Sequence, residues 1–476
     1  MAKPGLARNF LWLTVGETAA KVFSFLAFTH LGRTLGPERY GDLEFSIATV
    51  VFFTLFVQMG LGSYGAREIA RTPERAQDLL GEIFQLRLAM AALSVAVLLG
   101  FAAVIPKATD VRELLAAYGL SLLVTPLLLL WFFQGHDAMH WVAGANLLRI
   151  SAFATAAFLL FQKSSPLWAV GLYETGAVLL SAGFGFWAAG ARMGYRLPRL
   201  RWKPAALWLH MRKGAPIGGS NLAWAALWFF PVVILGLLRT DESVGWFGAA
   251  HRATMSVHTF VWWYFFNLLP AISRTTAQPR EELRRLIAPS LELTSWGGPA
   301  LALALSLPAT QLLSVAYGAQ FAGAGPLLAA LIWAIPVTLL SGHYRFILIA
   351  FDLQDRLLWW TLLSAALASV LTIALAPRFG ALGAAWGLVS GNLLCFALCC
   401  WTVYEAVEPI GFVGAVWGPA LATLTALLAS APWRGQPWLR TAGALAVYCT
   451  IFVIVERRRI PQWSRRLLGG AAVAVP

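Results

Sequence analysis

This chain carries little charge, and acidic charge least. Only 12% of its 476 residues are charged, and 22 Asp and Glu face 36 Lys and Arg. A soluble domain needs a polar surface, so a chain that is 59% hydrophobic with so little charge is neither an ordinary globular protein nor a disordered one. Cysteine is scarce as well. Cys395, Cys399, Cys400 and Cys449 all lie in apolar runs without disulfide or metal-ligand spacing, where they serve as small apolar residues. The chain also lacks a Gly-rich phosphate loop of the Walker type, a Cys/His cluster and a nucleophile elbow, so ATP hydrolysis, metal chemistry and serine-hydrolase chemistry have no sequence support. No cofactor is implied. The net charge of +14 does not point to nucleic acid, because the basic residues sit in short gaps between apolar runs and form no soluble basic face.

Those apolar runs fill the chain. Spans long enough to cross a bilayer as helices are predicted at 9–31, 42–64, 83–105, 113–134, 138–161, 166–190, 214–238, 246–272, 287–307, 325–348, 357–377, 381–404, 411–430 and 438–456. The 22 Trp suit aromatic belts at the two headgroup levels. Lys3 and Arg8 precede the first run as they would in a signal peptide. That run is nevertheless a full span, holds Glu17 and Lys21, and lacks a small-residue cleavage site, so it reads as a retained helix. With a cytoplasmic N-terminus, alternate gaps collect most of the basic residues, from Lys3, Arg8, Arg67, Arg71, Arg75 and Arg87 through to Arg457, Arg458, Arg459, Arg465 and Arg466. The opposite gaps hold fewer: Arg33, Arg39, Lys107, Arg112, Lys163, Arg239, Arg378, Arg434 and Arg440. This bias predicts an integral protein of the inner (plasma) membrane with both termini cytoplasmic.

The largest gap, 191–213, is basic and carries Pro198 and Pro204, as a linker between lobes would. Sliding the chain by 204 positions sets Leu31, Gly32, Glu38 and Gly41 on Leu235, Gly236, Glu242 and Gly245. The expected organisation is an all-α membrane protein of about fourteen transmembrane helices. It has a six-helix lobe over 1–190, a second related lobe over 214–404, and two added helices with a basic cytoplasmic tail over 405–476.

Arg8-Asn9-Phe10-Leu11-Trp12, then Glu17 and Lys21, open a pattern that continues through Leu31-Gly32-Arg33-Thr34-Leu35-Gly36-Pro37-Glu38-Arg39-Tyr40-Gly41. Gly60-Leu61-Gly62 and Ala66-Arg67-Glu68-Ile69-Ala70-Arg71 complete it. Together these resemble the start of the polysaccharide transporter (Wzx-type oligosaccharide flippase) family, within the superfamily that also holds MATE drug exporters and lipid II flippases. The resemblance implies a MATE-like flippase that moves a polyprenyl-diphosphate-linked glycan to the outer leaflet by alternating access. Physically, Gly36-Pro37 can end the first helix and Gly41 can permit a tight turn into the second, so a hairpin explains the motif without any ligand contact.

Ionisable groups inside the spans are the better candidates for substrate binding, because a charge at the bilayer centre costs about 2.5 to 3.5 kcal/mol. Lys21 falls roughly 18 Å along span 1, near the midplane, with Glu17 one turn before it on the same face. Two readings stand: Lys21 meets a diphosphate headgroup, or the two residues form a structural ion pair. Arg149, with Asn146 one turn before it, is a second phosphate candidate, since its planar fork can donate two parallel hydrogen bonds; the alternative is a salt bridge to Glu174. Arg252 and His258 in span 8 follow, Arg252 being near enough to the outer end to snorkel and His258 being readable as a core histidine or a proton carrier. Arg345 is a weaker candidate for the same reason of position. Asn221 occupies the repeat position of Glu17. Trp224, Trp228, Trp262, Trp263 and Tyr264 suit packing or belts better than sugar stacking.

The function expected is therefore a non-enzymatic flippase with the lipid-linked glycan and membrane lipid as partners, and with proton, sodium or membrane potential as energy source. Two rivals remain. A MATE-type drug or cation antiporter would favour acidic cavity groups, whereas these lean cationic. A glycan polymerase or ligase would need a long external loop, whereas the longest external gap here lies around Ala309 to Ala324.

Overall fold

The computed structural model describes residues 6–198, 203–239 and 242–457. Among the described residues there is no strand. The expected cations Lys3, Arg199, Arg201, Arg458, Arg459, Arg465 and Arg466 lie outside that range.

Helix α1 (Leu6–Gln58) carries the first two spans and breaks once, at Gly36 (φ 77, ψ 168). That conformation is open to glycine and closed to residues with a Cβ. Pro37 then starts the second segment, its fixed φ suited to a first helical turn. Gly41 makes no turn, contrary to expectation: it is helical, and its missing side chain serves packing instead. A second break at Met59 (φ 35) and Gly60 (φ 67) leads into α2 (Leu61–Arg71). There follow α3 (Ala76–Val104), α4 (Thr109–Val124), α5 (Leu130–Gly135), α6 (Met139–Leu160), α7 (Trp168–Trp187), α8 (Pro204–Leu238) and α9 (Glu242–Thr275). The chain continues with α10 (Arg280–Ser306), α11 (Ala309–Tyr317), α12 (Gly325–Leu331), α13 (Ala334–Ala350), α14 (Gln354–Phe379), α15 (Ala381–Ala406), α16 (Val413–Ala429) and α17 (Pro437–Glu456).

All fourteen expected spans fall on helices. Among the described residues ten helices are long and apolar enough to cross a membrane, the first of them containing two expected spans, and the α10–α11 pair, bent by 62°, makes an eleventh. Several helices begin before the expected spans, α3, α8 and α10 by the most. α3 begins at Ala76, because its half-polar first turns are buried, and α8 begins at Pro204, so Pro204–Lys213 of the expected linker is helical with proline in its first turn.

Apolar side chains point outward as well as inward, as a lipid solvent permits: Leu159 is 73% exposed and Trp417 72%. Trp208, Trp359, Trp401 and Trp438 stand exposed near helix ends, at belt positions.

The chain divides into two compact units, residues up to Gly248 with Thr372–Ala384, and Ala249–Leu371 with the residues from Ala385 onward. In the first, α1 packs on α6 and α8, α4 on α7, and α6 on α7. One of its cores joins α2, α3 and α5 through Leu61, Tyr64, Ile83, Leu86, Trp131, Phe132 and Phe133. Because lipid is as apolar as these side chains, close packing and polar contacts hold the helices together more than burial does. In the second unit α10 packs on α13, α16 and α17. Trp296 there donates from Nε1 to Glu456 Oε1 (3.2 Å), while its carbonyl accepts from the Tyr448 hydroxyl (2.8 Å).

Candidate functional site

Within the first unit, helices α1, α6 and α7 bring together four of the residues singled out in the sequence. Asn146 Nδ2 donates to Glu17 Oε1 at 2.6 Å. Arg149, one turn further along α6, donates through Nε (3.0 Å) and Nη2 to a single oxygen, Glu174 Oε1. The i, i+3 spacing of Asn146 and Arg149 presents both on one face of α6, so the carboxylates of α1 and α7 are tied to it in sequence. The salt-bridge alternative for Arg149 is thus the one realised here, in a half-buried setting with 33% of the Arg149 side chain exposed. Lys21, on the same face of α1 as Glu17, is exposed. Asn221 is exposed on α8.

In the second unit Arg252 is half-buried and His258 buried, both on α9. Tyr264 of the same helix meets the Ser290 hydroxyl (2.5 Å), which also contacts His343 Nε2 (2.7 Å), so this aromatic belongs to an internal polar chain. Arg345 is half-buried on α13. Cys395, Cys399 and Cys400 are buried on α15. Among the described residues no three His, Cys, Asp or Glu side chains gather as metal ligands would.

Two further features of the first unit were not singled out in the sequence. One is a buried chain across α2, α3 and α8. Tyr64 Oη lies 3.1 Å from His210 Nδ1, His210 Nε2 lies 2.9 Å from Glu82 Oε2, and Lys203 Nζ lies 3.3 Å from Glu82 Oε1. With a neutral imidazole the Nε2 proton goes to the carboxylate and Nδ1 accepts from the tyrosine hydroxyl. Beside it opens a cavity of about 310 Å³ lined by Gln77, Asp78, Gly81, Glu82, Gly194, Arg196 and Lys203. Its rim is held by Gln77, which pairs with both the backbone nitrogen (2.9 Å) and carbonyl (3.1 Å) of Arg196.

The other is Arg87. Charge counting places it among cytoplasmic cations, yet it sits within α3, only 6% exposed, with its guanidinium 5.7 Å from the centre of the Trp131 ring. Its Nε has no hydrogen-bond partner, and among the described residues no carboxylate pairs with it.

Known proteins agree with this architecture. The chain is 25% identical over 325 residues to a protein of Escherichia coli (strain K12) assigned as an O-antigen transporter, an alignment covering 66% of this chain and 76% of that one. Its fold matches that of the lipid II flippase MurJ in an inward closed conformation with a TM-score of 0.74 at 11% identity, over 94% of this chain and all of the other. An inward-facing MATE multidrug transporter matches with a TM-score of 0.66 at 14% identity, over 86% of this chain and 99% of its own. The chain thus has the all-helical fold shared by MurJ and MATE transporters. Residues 6–276, more than half of the sequence, match the family described as polysaccharide biosynthesis protein, and the chain belongs to that family.

Proposed function

We propose that this protein is a flippase that carries a polyprenyl-diphosphate-linked oligosaccharide from the cytoplasmic to the outer leaflet by alternating access, for cell-surface polysaccharide synthesis. It makes and breaks no covalent bond. The observation that carries this reading is the membership of a polytopic, all-helical chain in the polysaccharide biosynthesis family, with cations built into its spans. The relative assigned as an O-antigen transporter and the fold of a lipid II flippase point the same way.

A cation antiporter needs carboxylates open to its cargo. Glu17, Glu82 and Glu174 are instead already engaged by Asn146, by His210 with Lys203, and by Arg149. A glycan polymerase or ligase has no room for its catalytic loop in the external gap after α10, which is occupied by α11 and a short 3-10 turn over Ala319–Ala324. We assign the protein to the inner membrane with both termini cytoplasmic, and its two related lobes to 1–190 and 214–404. Lys21 and Arg149 are the groups we assign to the diphosphate from the sequence pattern, with Glu174 holding Arg149 between transport events and Glu17, bound by Asn146, one turn before Lys21. Arg252, His258 and Asn221 are assigned to the substrate path from position alone. A proton, sodium ion or the membrane potential drives the cycle.

The test is mass spectrometry of lipid extracts from cells lacking the gene. One polyprenyl-diphosphate glycan absent from the parent should accumulate. An unchanged lipid profile together with new sensitivity to cationic dyes would overturn the reading in favour of the antiporter. Lys21→Ala, expressed normally, should lose transport, and full transport would remove Lys21 from the headgroup site.

A further inference from the structure

Two other cations drawn into the first unit are neutralised, Arg149 by Glu174 and Lys107 by Asp42 at 3.9 Å, and the half-exposed Lys203 pairs with Glu82. Arg87 is more deeply buried than Arg149 or Lys203 and has no such partner among the described residues. A buried charge left uncompensated is costly, and a fold that retains one either gains the counter-charge from elsewhere or loses stability to no purpose. The surrounding residues make room for the charge without neutralising it. Gly62 of α2 faces it, and a Cβ there would stand 3.1 Å from Arg87 Nη2. The Trp131 ring offers only a cation–π contact near the outer limit of that interaction. The helix that covers the guanidinium, α2, is set off from α1 by two successive residues with positive φ, Met59 and Gly60, and so forms a short segment of its own.

We propose that Arg87 is the fixed cation of an anion site for a phosphate-class group, uncovered when α2 swings about Met59–Gly60. Resting on the flippase reading, the ligand is the diphosphate of the lipid carrier, which the guanidinium fork meets with two parallel hydrogen bonds. Arg149 and Lys21 then act on the same anion at other stages of its passage.

The experiment is thermal unfolding of the purified full-length protein, wild type and Arg87→Gln, at constant ionic strength. The probes are inorganic pyrophosphate, inorganic phosphate, and phosphatidylethanolamine/phosphatidylglycerol nanodiscs with and without a synthetic polyprenyl diphosphate. Wild type should be stabilised by pyrophosphate. Arg87→Gln should unfold at the same or a higher temperature without ligand, since an uncompensated charge has been removed, and its apparent affinity for pyrophosphate should fall at least tenfold. A wild type that no probe stabilises, or a glutamine variant that keeps the full pyrophosphate response, overturns the proposal. If Arg87→Gln does not fold, Arg87→Lys decides: it keeps the charge and loses the fork, so an unchanged affinity overturns the site and a several-fold loss supports it. Stabilisation by the soluble anions but not by the lipid diphosphate identifies free phosphate as the ligand. The lipid-extract measurement is separate, so glycan accumulation alongside a wild-type response in Arg87→Gln would keep the flippase and discard this site.

Discussion

Gly41 and Gly245 meet backbone to backbone. A Cβ on Gly245 would fall 1.8 Å from the Pro37 carbonyl oxygen, and one on Gly41 would fall 2.8 Å from the Gly245 nitrogen. These are the two glycines that the offset of 204 residues sets on each other. Their neighbours in the same pattern, Leu31 and Leu235, are each fully buried. The Leu-Gly-Pro-Glu-Arg-Tyr-Gly run is therefore a packing device, in which small residues let helix backbones approach as side chains would not.

Gly245→Ala should lower the unfolding midpoint sharply, since the clash is with backbone and cannot be relieved by a rotamer change; a cost of about 1–3 kcal/mol or more is expected. Gly176→Ala, in helix α7 where a Cβ meets nothing within 4 Å, is the control. It should stabilise by about 0.5–1 kcal/mol through helix propensity. Thermal unfolding in detergent compares the two, and equal effects would contradict the packing role.

The Arg149–Glu174 contact should behave as a coupled pair. Glu174→Ala strands a half-buried guanidinium and should cost more than the double variant Arg149→Met with Glu174→Leu, which removes both charges. A double-mutant cycle should return a coupling of roughly 0.5–3 kcal/mol. A value near zero would mean that the contact adds nothing to the fold.

His210→Leu leaves Glu82 with Lys203 as its one remaining donor among the described residues and Tyr64 without its nitrogen partner. A loss of roughly 1–3 kcal/mol should follow, with Tyr64→Phe costing less because only a neutral hydrogen bond goes. Chemical or thermal unfolding of the two variants checks the order.

Lys107 supplies a pH dependence. Burial pushes its ammonium below the usual lysine range, and Asp42 opposes that only in part. The folded protein therefore releases this proton more readily than the unfolded chain does, so the charge is a cost at neutral pH that disappears as pH rises through the lowered value toward the ordinary one of about 10.4. Lys107→Met should flatten this alkaline gain in the unfolding midpoint. A variant that keeps the full rise would show that another group causes it.

Hydropathy is enough to place every expected span on a helix, because a span must be apolar over its full length whatever it packs against. The contact of Arg149 with Glu174 was also within reach, as both stand alone in adjacent apolar runs and each needs a counter-charge. Arg87 was not. Its helix starts at Ala76 with turns polar enough to look like a loop, and only the packing of α2, α8 and the segment around Arg196 over them makes them interior. His210 is separated from Tyr64 and from Glu82 by more than a hundred positions in the chain, and nothing in a single sequence marks such residues as neighbours. The role of Gly41 is illegible for a related reason: a glycine that opens a turn and one that admits a neighbouring backbone look the same until the neighbour is known.

Because α1 turns the corner at a single residue, Gly36, the connection between its two halves has no slack. A peptide tag or a one-residue insertion beside it would have nowhere to go but into the register of one half or the other. The stretch from Gln162 to Pro166, between α6 and α7, is not helical and can absorb such a change. Length variation among relatives, and inserted epitope tags, should therefore be admitted after α6 and refused at Gly36.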